Sequence, residues 1–265
     1  MNIVAVLVAV KLYVTVVGVH TSDFFTVKVN DFLCHRRSHN SVLQGCAVNK
    51  VGWDFKPENL QRTGSFKLRG SGYKIAMLSE EEKAKGVIAC SAGNHAQGVA
   101  LAASKCGISS LICLPENAPL SKVEATKGFG ADVCLVPGVY DDAYRKALEL
   151  KEEHGYTFVH PFDDENVIAG QGTIGLEIVN DIDNIDAVIV PIGGGGLISG
   201  VAFALKKLKP SLKVYGVQAA GAPSMYNSIK NGKIERLPSV STIADGIAVK
   251  EPGENTFKLV KAYIG

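Results

Sequence analysis

Three short stretches of this 265-residue sequence hold residue types that do chemistry. In Glu58-Asn59-Leu60-Gln61-Arg62-Thr63-Gly64-Ser65-Phe66-Lys67-Leu68-Arg69-Gly70, a lysine stands between an aromatic and an apolar residue where a helix is predicted to start. Desolvation there lowers an ammonium pKa and yields the neutral amine that Schiff-base chemistry needs. The same pattern also fits a surface lysine whose stem snorkels along its neighbours. Cys90-Ser91-Ala92-Gly93-Asn94-His95-Ala96-Gln97-Gly98 lies where a predicted strand hands over to a helix. Ser91, Asn94 and the free N–H groups of that helix's first turn can converge on a carboxylate or phosphate. Ser91 and Asn94 are equally ordinary N-caps, and His95 fits a core histidine bonded to backbone. The third stretch is Gly193-Gly194-Gly195-Gly196-Leu197, between an apolar run and an amphipathic segment. Successive N–H groups without Cβ obstruction, at the positive end of a helix, form a phosphate cup. A tight turn is the plainer use of glycine, and four in a row exceed what a turn needs. It is not a dinucleotide fingerprint, because Ile198 and Ser199 occupy the third-glycine positions counted from Gly193 and Gly194, and Leu197 the second-glycine position counted from Gly195. Nor is it a P-loop, which needs Gly-Lys-Ser/Thr.

These stretches must be positioned by regular elements, and the sequence supplies them. Apolar runs at Gly86–Cys90, Ser109–Leu114, Asp132–Val136, Thr157–Val159, Asp186–Ile192 and Lys213–Val217 alternate with helical spacing. Ala96, Val99, Ala100 and Ala103 fall on one helical face, as do Leu197, Val201, Leu205 and Leu208. Tyr140–His154 reads as a charged helix. Continuous apolar strands separated by amphipathic helices predict parallel sheets buried on both faces, an α/β architecture. The chain is 46% hydrophobic and 20% charged, which excludes disorder. Its 28 basic against 26 acidic residues leave no electrostatic footprint for nucleic acid.

The first fifty residues differ in character. Ile3–Val19 is nearly all apolar but is interrupted by Lys11, so it makes a poor membrane helix and a poor signal peptide. Its valines predict a buried strand or two. Cys34, His35, His39 and Cys46 match no ordinary zinc spacing, and no metal site is predicted. The six cysteines contain no Cys-x-x-Cys and read as reduced thiols of a cytoplasmic protein.

A reactive lysine, a carboxylate cradle and a phosphate cup that is not for nucleotides point to pyridoxal 5'-phosphate. In this combination the sequence resembles the fold-type II (tryptophan synthase β-like) enzymes, and among them the threonine dehydratases, or threonine ammonia-lyases. Thr242-Ile243-Ala244-Asp245-Gly246-Ile247-Ala248-Val249, followed by Pro252-Gly253, is similar to a further stretch of that family, and the resemblance runs from about Phe55 to Gly265. It implies an α/β fold of two open parallel-sheet, three-layer α/β/α domains with the cofactor in the cleft between them. A large cofactor-binding domain would comprise 51–85 and 164–265, C-terminally incomplete, and a small domain 86–163, with 1–50 an atypical segment.

The resemblance also implies roles. Lys67 would form the Schiff base and act as acid and base at the substrate Cα. Phe66 would lie beside the pyridine ring, and Asn94 would bond its 3-oxygen. Gly193, Gly194, Gly195, Gly196 and Leu197 would hold the phosphate. Ser65, Ser91, Ala92, Gly93, Asn94 and His95 would face the substrate. The implied reaction turns L-threonine into 2-oxobutanoate and ammonia, with L-serine to pyruvate as a side activity. It would serve isoleucine biosynthesis or threonine catabolism, in a cytoplasmic homo-oligomer that binds neither membrane nor nucleic acid.

Several positions depart from the family pattern. Ala92 stands where serine racemases carry a serine that protonates the opposite face of Cα, which predicts elimination over racemisation. Gln218 replaces a glutamate that helps hold a cation in many relatives, and Ser71 replaces a small apolar residue. Residues 1–50 lack the family's Thr-Pro-Leu segment, as a mis-read gene start or frameshift would produce. The family's chain continues beyond this one to a serine or cysteine that faces the pyridine nitrogen, so less than full activity is expected. The competing readings are a serine racemase-like or other β-eliminating enzyme, a catalytically impaired fragment, and a non-catalytic binder of phosphate ligands.

Overall fold

Residues 2–7, 13–17, 24–28, 43–44 and 52–264 are described by a computed structural model. The strands in chain order are β1 Asn2–Leu7, β2 Tyr13–Val17, β3 Phe24–Lys28, β4 Leu43–Gln44, β5 Gly52–Pro57, β6 Val87–Cys90, β7 Ser110–Pro115, β8 Asp132–Val136, β9 Thr157–Phe158, β10 Ala187–Pro191 and β11 Lys213–Val217. The helices are α1 Lys67–Ala76, α2 Glu80–Lys85, α3 Asn94–Lys105, α4 Leu120–Gly128, α5 Tyr140–His154, α6 Glu165–Asp181, α7 Gly196–Leu208, α8 Ser224–Asn231 and α9 Glu254–Tyr263. Each apolar run expected to be a strand is one, and the helix expected over Tyr140–His154 has those bounds. The chain packs as two units, Arg62–Gly170 and Met1–Gln61 with Gln171–Gly265.

In the Arg62–Gly170 unit a four-stranded parallel sheet runs in the order β8-β7-β6-β9. Period-two alternation assigns its faces. Val87 and Ala89 of β6, with Ile112 and Leu114 of β7, join Ile75, Val99, Ala103 and Val123 of α1, α3 and α4. Ile88, Cys90 and Cys113 point the other way, onto Ala143 and Ala147 of α5. Cys90, Cys113 and Cys134 stand in register across β6, β7 and β8. The expectation of strands buried on both faces holds for β6 but not for β8, where edge position leaves Leu135 50% exposed.

In the other unit the sheet order is β11-β10-β1-β5-β4. β1, from the apolar N-terminal run, is paired in parallel on both sides, with β10 and β5. Parallel pairing is not universal, since β4 runs antiparallel to β5 and β2 to β3. Among the described residues no helix is long and apolar enough to cross a membrane. Cys34, His35, His39 and Cys46 lie outside the described residues. Cys90, Cys106, Cys113 and Cys134 are free thiols.

Candidate active site

Lys67 is the first residue of α1, and glycines let other helices reach its backbone. A Cβ on Gly98 of α3 would stand 3.1 Å from the Lys67 carbonyl carbon. One on Gly170 of α6 would stand 2.6 Å from Arg69 O. Ser71, treated in the sequence only as a substitution, is fully buried, and its hydroxyl donates to the Lys67 carbonyl at 2.9 Å. Ser65 is buried, its Oγ accepting from the Lys67 N–H at 3.4 Å.

The lysine's far end is the unusual part. Its Nζ donates to Pro161 O at 2.6 Å and lies 5.3 Å from the centroid of the Phe66 ring. The residue as a whole is half-buried, and its amine lies among protein atoms. That loss of water lowers its pKa to about 8. An Nζ bonded to a main-chain carbonyl differs from a snorkelling lysine, which keeps its head in water.

Two histidines lie near enough for the charge on this amine to act on them. His95 is 3% exposed, its Nε2 lies 2.8 Å from Val159 O, and its Nδ1 is buried without a partner. Burial, with the Lys67 charge adding to it, depresses its pKa to about 3. His95 is thus a core histidine bonded to backbone as well as a neighbour of the lysine. His160 accepts at Nδ1 from Phe162 N at 3.3 Å and from Asp163 N at 2.7 Å. Burial brings its pKa to about 4. The sequence reading missed His160 and Pro161. The available signal was their place just past β9, since α/β sheets gather ligands at the carboxyl ends of their strands.

β6 leads into α3 through Ser91, Ala92 and Gly93. Ser91 does not cap the helix: its Oγ accepts from Gly93 N at 3.1 Å, and Gly93, the N-cap, carries no side chain. Asn94 is the exposed first residue of α3. No side-chain hydrogen bond caps this helix at Gly93, and Lys122 of α4 brings its Nζ to 4.0 Å from where a Gly93 Cβ would be. Helix dipole and ammonium together favour a carboxylate.

The other unit holds the glycine run between β10 and α7. Gly195, the N-cap of α7, has φ +102°, and a Cβ there would meet Met225 Cε and Thr256 Cβ at 2.7 Å. Only glycine fits this backbone and this space. Thr256 Oγ1 donates to Gly194 O at 2.6 Å, and Gly193 lies against Ile247 and Val249. The Thr242–Val249 stretch is thus brought onto the loop. Leu197 is buried in the first turn of α7, whose N-terminus no side chain caps. Gln218 turns both amide ends to backbone, Nε2 to Ile192 O at 3.4 Å and Oε1 to Tyr226 N at 2.8 Å.

A family model described as pyridoxal-phosphate dependent enzyme matches residues 49–265. The chain belongs to this family. Pyridoxal phosphate is the family's cofactor, and the residues present suit it: a desolvated lysine, and a glycine loop at a helix N-terminus whose packing leaves no room for a Cβ at Gly195. L-threonine ammonia-lyase of Thermotoga maritima is 57% identical over 227 residues, which cover 86% of this chain and 56% of that protein. Processed threonine deaminase isoform 2 from Solanum lycopersicum has a TM-score of 0.78 at 46% identity, covering 80% of this chain and 58% of that one. Maize serine racemase also has a TM-score of 0.78, at 40% identity, with coverages of 80% and 64%. The chain thus spans little more than half the length of its curated relative. The fold-type II class expected from the motifs is that of its structural neighbours.

Proposed function

We propose that the chain is the catalytic region of a pyridoxal-phosphate-dependent threonine ammonia-lyase, which converts L-threonine to 2-oxobutanoate and ammonia, with L-serine to pyruvate as a side activity. The carrying observation is Lys67, held at the head of α1 with its ammonium desolvated and its pKa near 8. Similarity to L-threonine ammonia-lyase and to threonine deaminase supports the choice of substrate.

When bound, pyridoxal phosphate supplies a ring that withdraws the charge left on Cα. In this reading Lys67 Nζ attaches the cofactor and then carries the Cα proton, a task suited to an amine that is neutral for part of the time near neutral pH. Phe66 lies beside the ring and Asn94 bonds its 3-oxygen. Gly193 to Gly196 and Leu197 hold the phosphate by main-chain N–H groups. Ser65, Ser91, Ala92, Gly93, Asn94 and His95 surround the substrate. His95 does so through its main chain, because its ring is engaged with Val159 O. Domains of 51–85 with 164–265 and of 86–163 complete the reading, together with a homo-oligomeric assembly and a cytoplasmic setting that suits the free thiols. The 2-oxobutanoate formed would enter isoleucine synthesis or threonine breakdown.

The deciding experiment is an absorbance spectrum after incubation with pyridoxal phosphate. A band near the visible edge that Lys67→Ala abolishes supports the proposal. No band from the wild-type chain reduces it to a phosphate binder or an impaired fragment. Maize serine racemase as a structural neighbour favours a second reading, racemisation. Ala92 carries no proton to donate, so L-serine should give pyruvate with little D-serine. Comparable rates of the two would select the racemase.

A further inference from the structure

The segment after β9 is tied at both ends. Val159 N donates to Ile88 O at 2.9 Å, and Val159 O faces His95 Nε2. Asp164 accepts from Val167 N at 3.0 Å at the start of α6, and its other oxygen lies 2.8 Å from Lys74 Nζ of α1, a pair with both side chains 17% exposed. Between these anchors one ring bends the chain. His160 Nδ1 receives N–H groups from two and three residues ahead, as an aspartate or asparagine does in an Asx turn. Phe162 closes over the ring edge-on, with centroids 4.8 Å apart. The product of the bend is the Pro161 carbonyl, aimed at Lys67.

We propose that His160 is a positioning residue for Lys67: its Nδ1 lone pair folds the 160–163 turn, and that turn fixes the acceptor which holds the lysine nitrogen and excludes water from it. The inference rests on Lys67 being the reactive amine, and it deepens that reading by naming what prepares it. The titratable groups around the lysine are His95 from α3 and His160 from the turn, with Asp163 and Asp164 beside His160. Two N–H donors at one ring nitrogen require it to be unprotonated, and burial keeps His160 so at neutral pH.

The test labels the cofactor-free chain competitively with acetic anhydride from about pH 6 to about pH 11 and reads the Lys67 peptide by mass spectrometry. Wild type should titrate near 8. His160→Phe keeps a ring but removes the acceptor, and should move the Lys67 midpoint upward by about one unit or more. His160→Asn replaces the acceptor without the ring and should restore the wild-type midpoint. A wild-type midpoint in His160→Phe overturns the proposal, as does a shift in His160→Asn equal to that in His160→Phe. If His160→Phe does not fold, His160→Asn decides alone: a midpoint near 8 supports the proposal and one near the ordinary 10.5 overturns it. A wild-type chain that labels as expected yet forms no chromophore with pyridoxal phosphate would sink the cofactor reading and leave this inference standing.

Discussion

Lys67 Nζ rests 2.6 Å from the main-chain oxygen of Pro161, a residue ninety-four positions later in the chain. The acceptor is a neutral carbonyl, so the ammonium receives a hydrogen bond's worth of compensation and no counter-charge from it. Desolvation then decides the titration, and it does so in the direction that imine chemistry needs.

The rate of cofactor capture should follow that titration. With a pKa of about 8, roughly a tenth of Lys67 is neutral at pH 7, against roughly one part in three thousand at the ordinary value. Capture should rise steeply with pH up to about 8 and then level off. Stopped-flow absorbance at fixed pyridoxal phosphate checks this, and a rise that continues toward pH 10 would place the amine in water.

The two histidines should make the fold sensitive to acid. Both are depressed in the folded chain, to about 3 for His95 and about 4 for His160, so the unfolded chain binds more protons as pH falls below the ordinary value of 6.5. Their contribution is complete above that value and is lost progressively on the way down to those folded values. For His95 alone the loss is about 2 kcal/mol at pH 5. Urea midpoints at pH 7 and pH 5 should therefore diverge less in His95→Gln than in wild type.

Substitution at two glycines should rank by distance. Gly170→Ala forces a methyl to within 2.6 Å of Arg69 O and 2.7 Å of Gly70 Cα, both backbone, and should cost about 2–3 kcal/mol. Gly98→Ala meets its neighbours at 3.1–3.2 Å and should cost about 1 kcal/mol. Equal urea midpoints for the two variants would mean that α1 shifts freely.

At the glycine loop, Thr256→Val removes the shorter of two hydrogen bonds to Gly194 O and leaves it only the Gly253 N–H at 3.4 Å, at a cost of about 1 kcal/mol. Gly195→Ala adds strain at a positive φ to a clash with Met225 and Thr256. Pyridoxal phosphate titration followed by fluorescence should show weaker binding in both, with Gly195→Ala the worse. Unchanged affinity in Gly195→Ala would remove this loop from the phosphate site.

The strands and the helix over Tyr140–His154 were legible in sequence because alternation and helical spacing are local signals. The position of β8 was not, since nothing in Asp132–Val136 marks an edge. Lys67, the glycine run and the Ser91–His95 stretch stood out by residue type. His160, Pro161, Ser71 and Gly170 did not, for their work depends on partners placed by tertiary packing. Ser91 shows the limit of type alone: a good capping residue two positions too early bonds Gly93 instead of a helix.

The row of thiols under α5 makes the Arg62–Gly170 unit its own stopwatch. Burial pushes Cys90 and Cys113 up to about 12, so at neutral pH they meet an alkylating reagent only while the sheet and α5 are parted. Cys106 lies on the surface and reacts from the folded state. The lag between labelling of Cys106 and labelling of Cys90 and Cys113, read peptide by peptide by mass in a single tube, measures how often the unit that carries Lys67 comes apart.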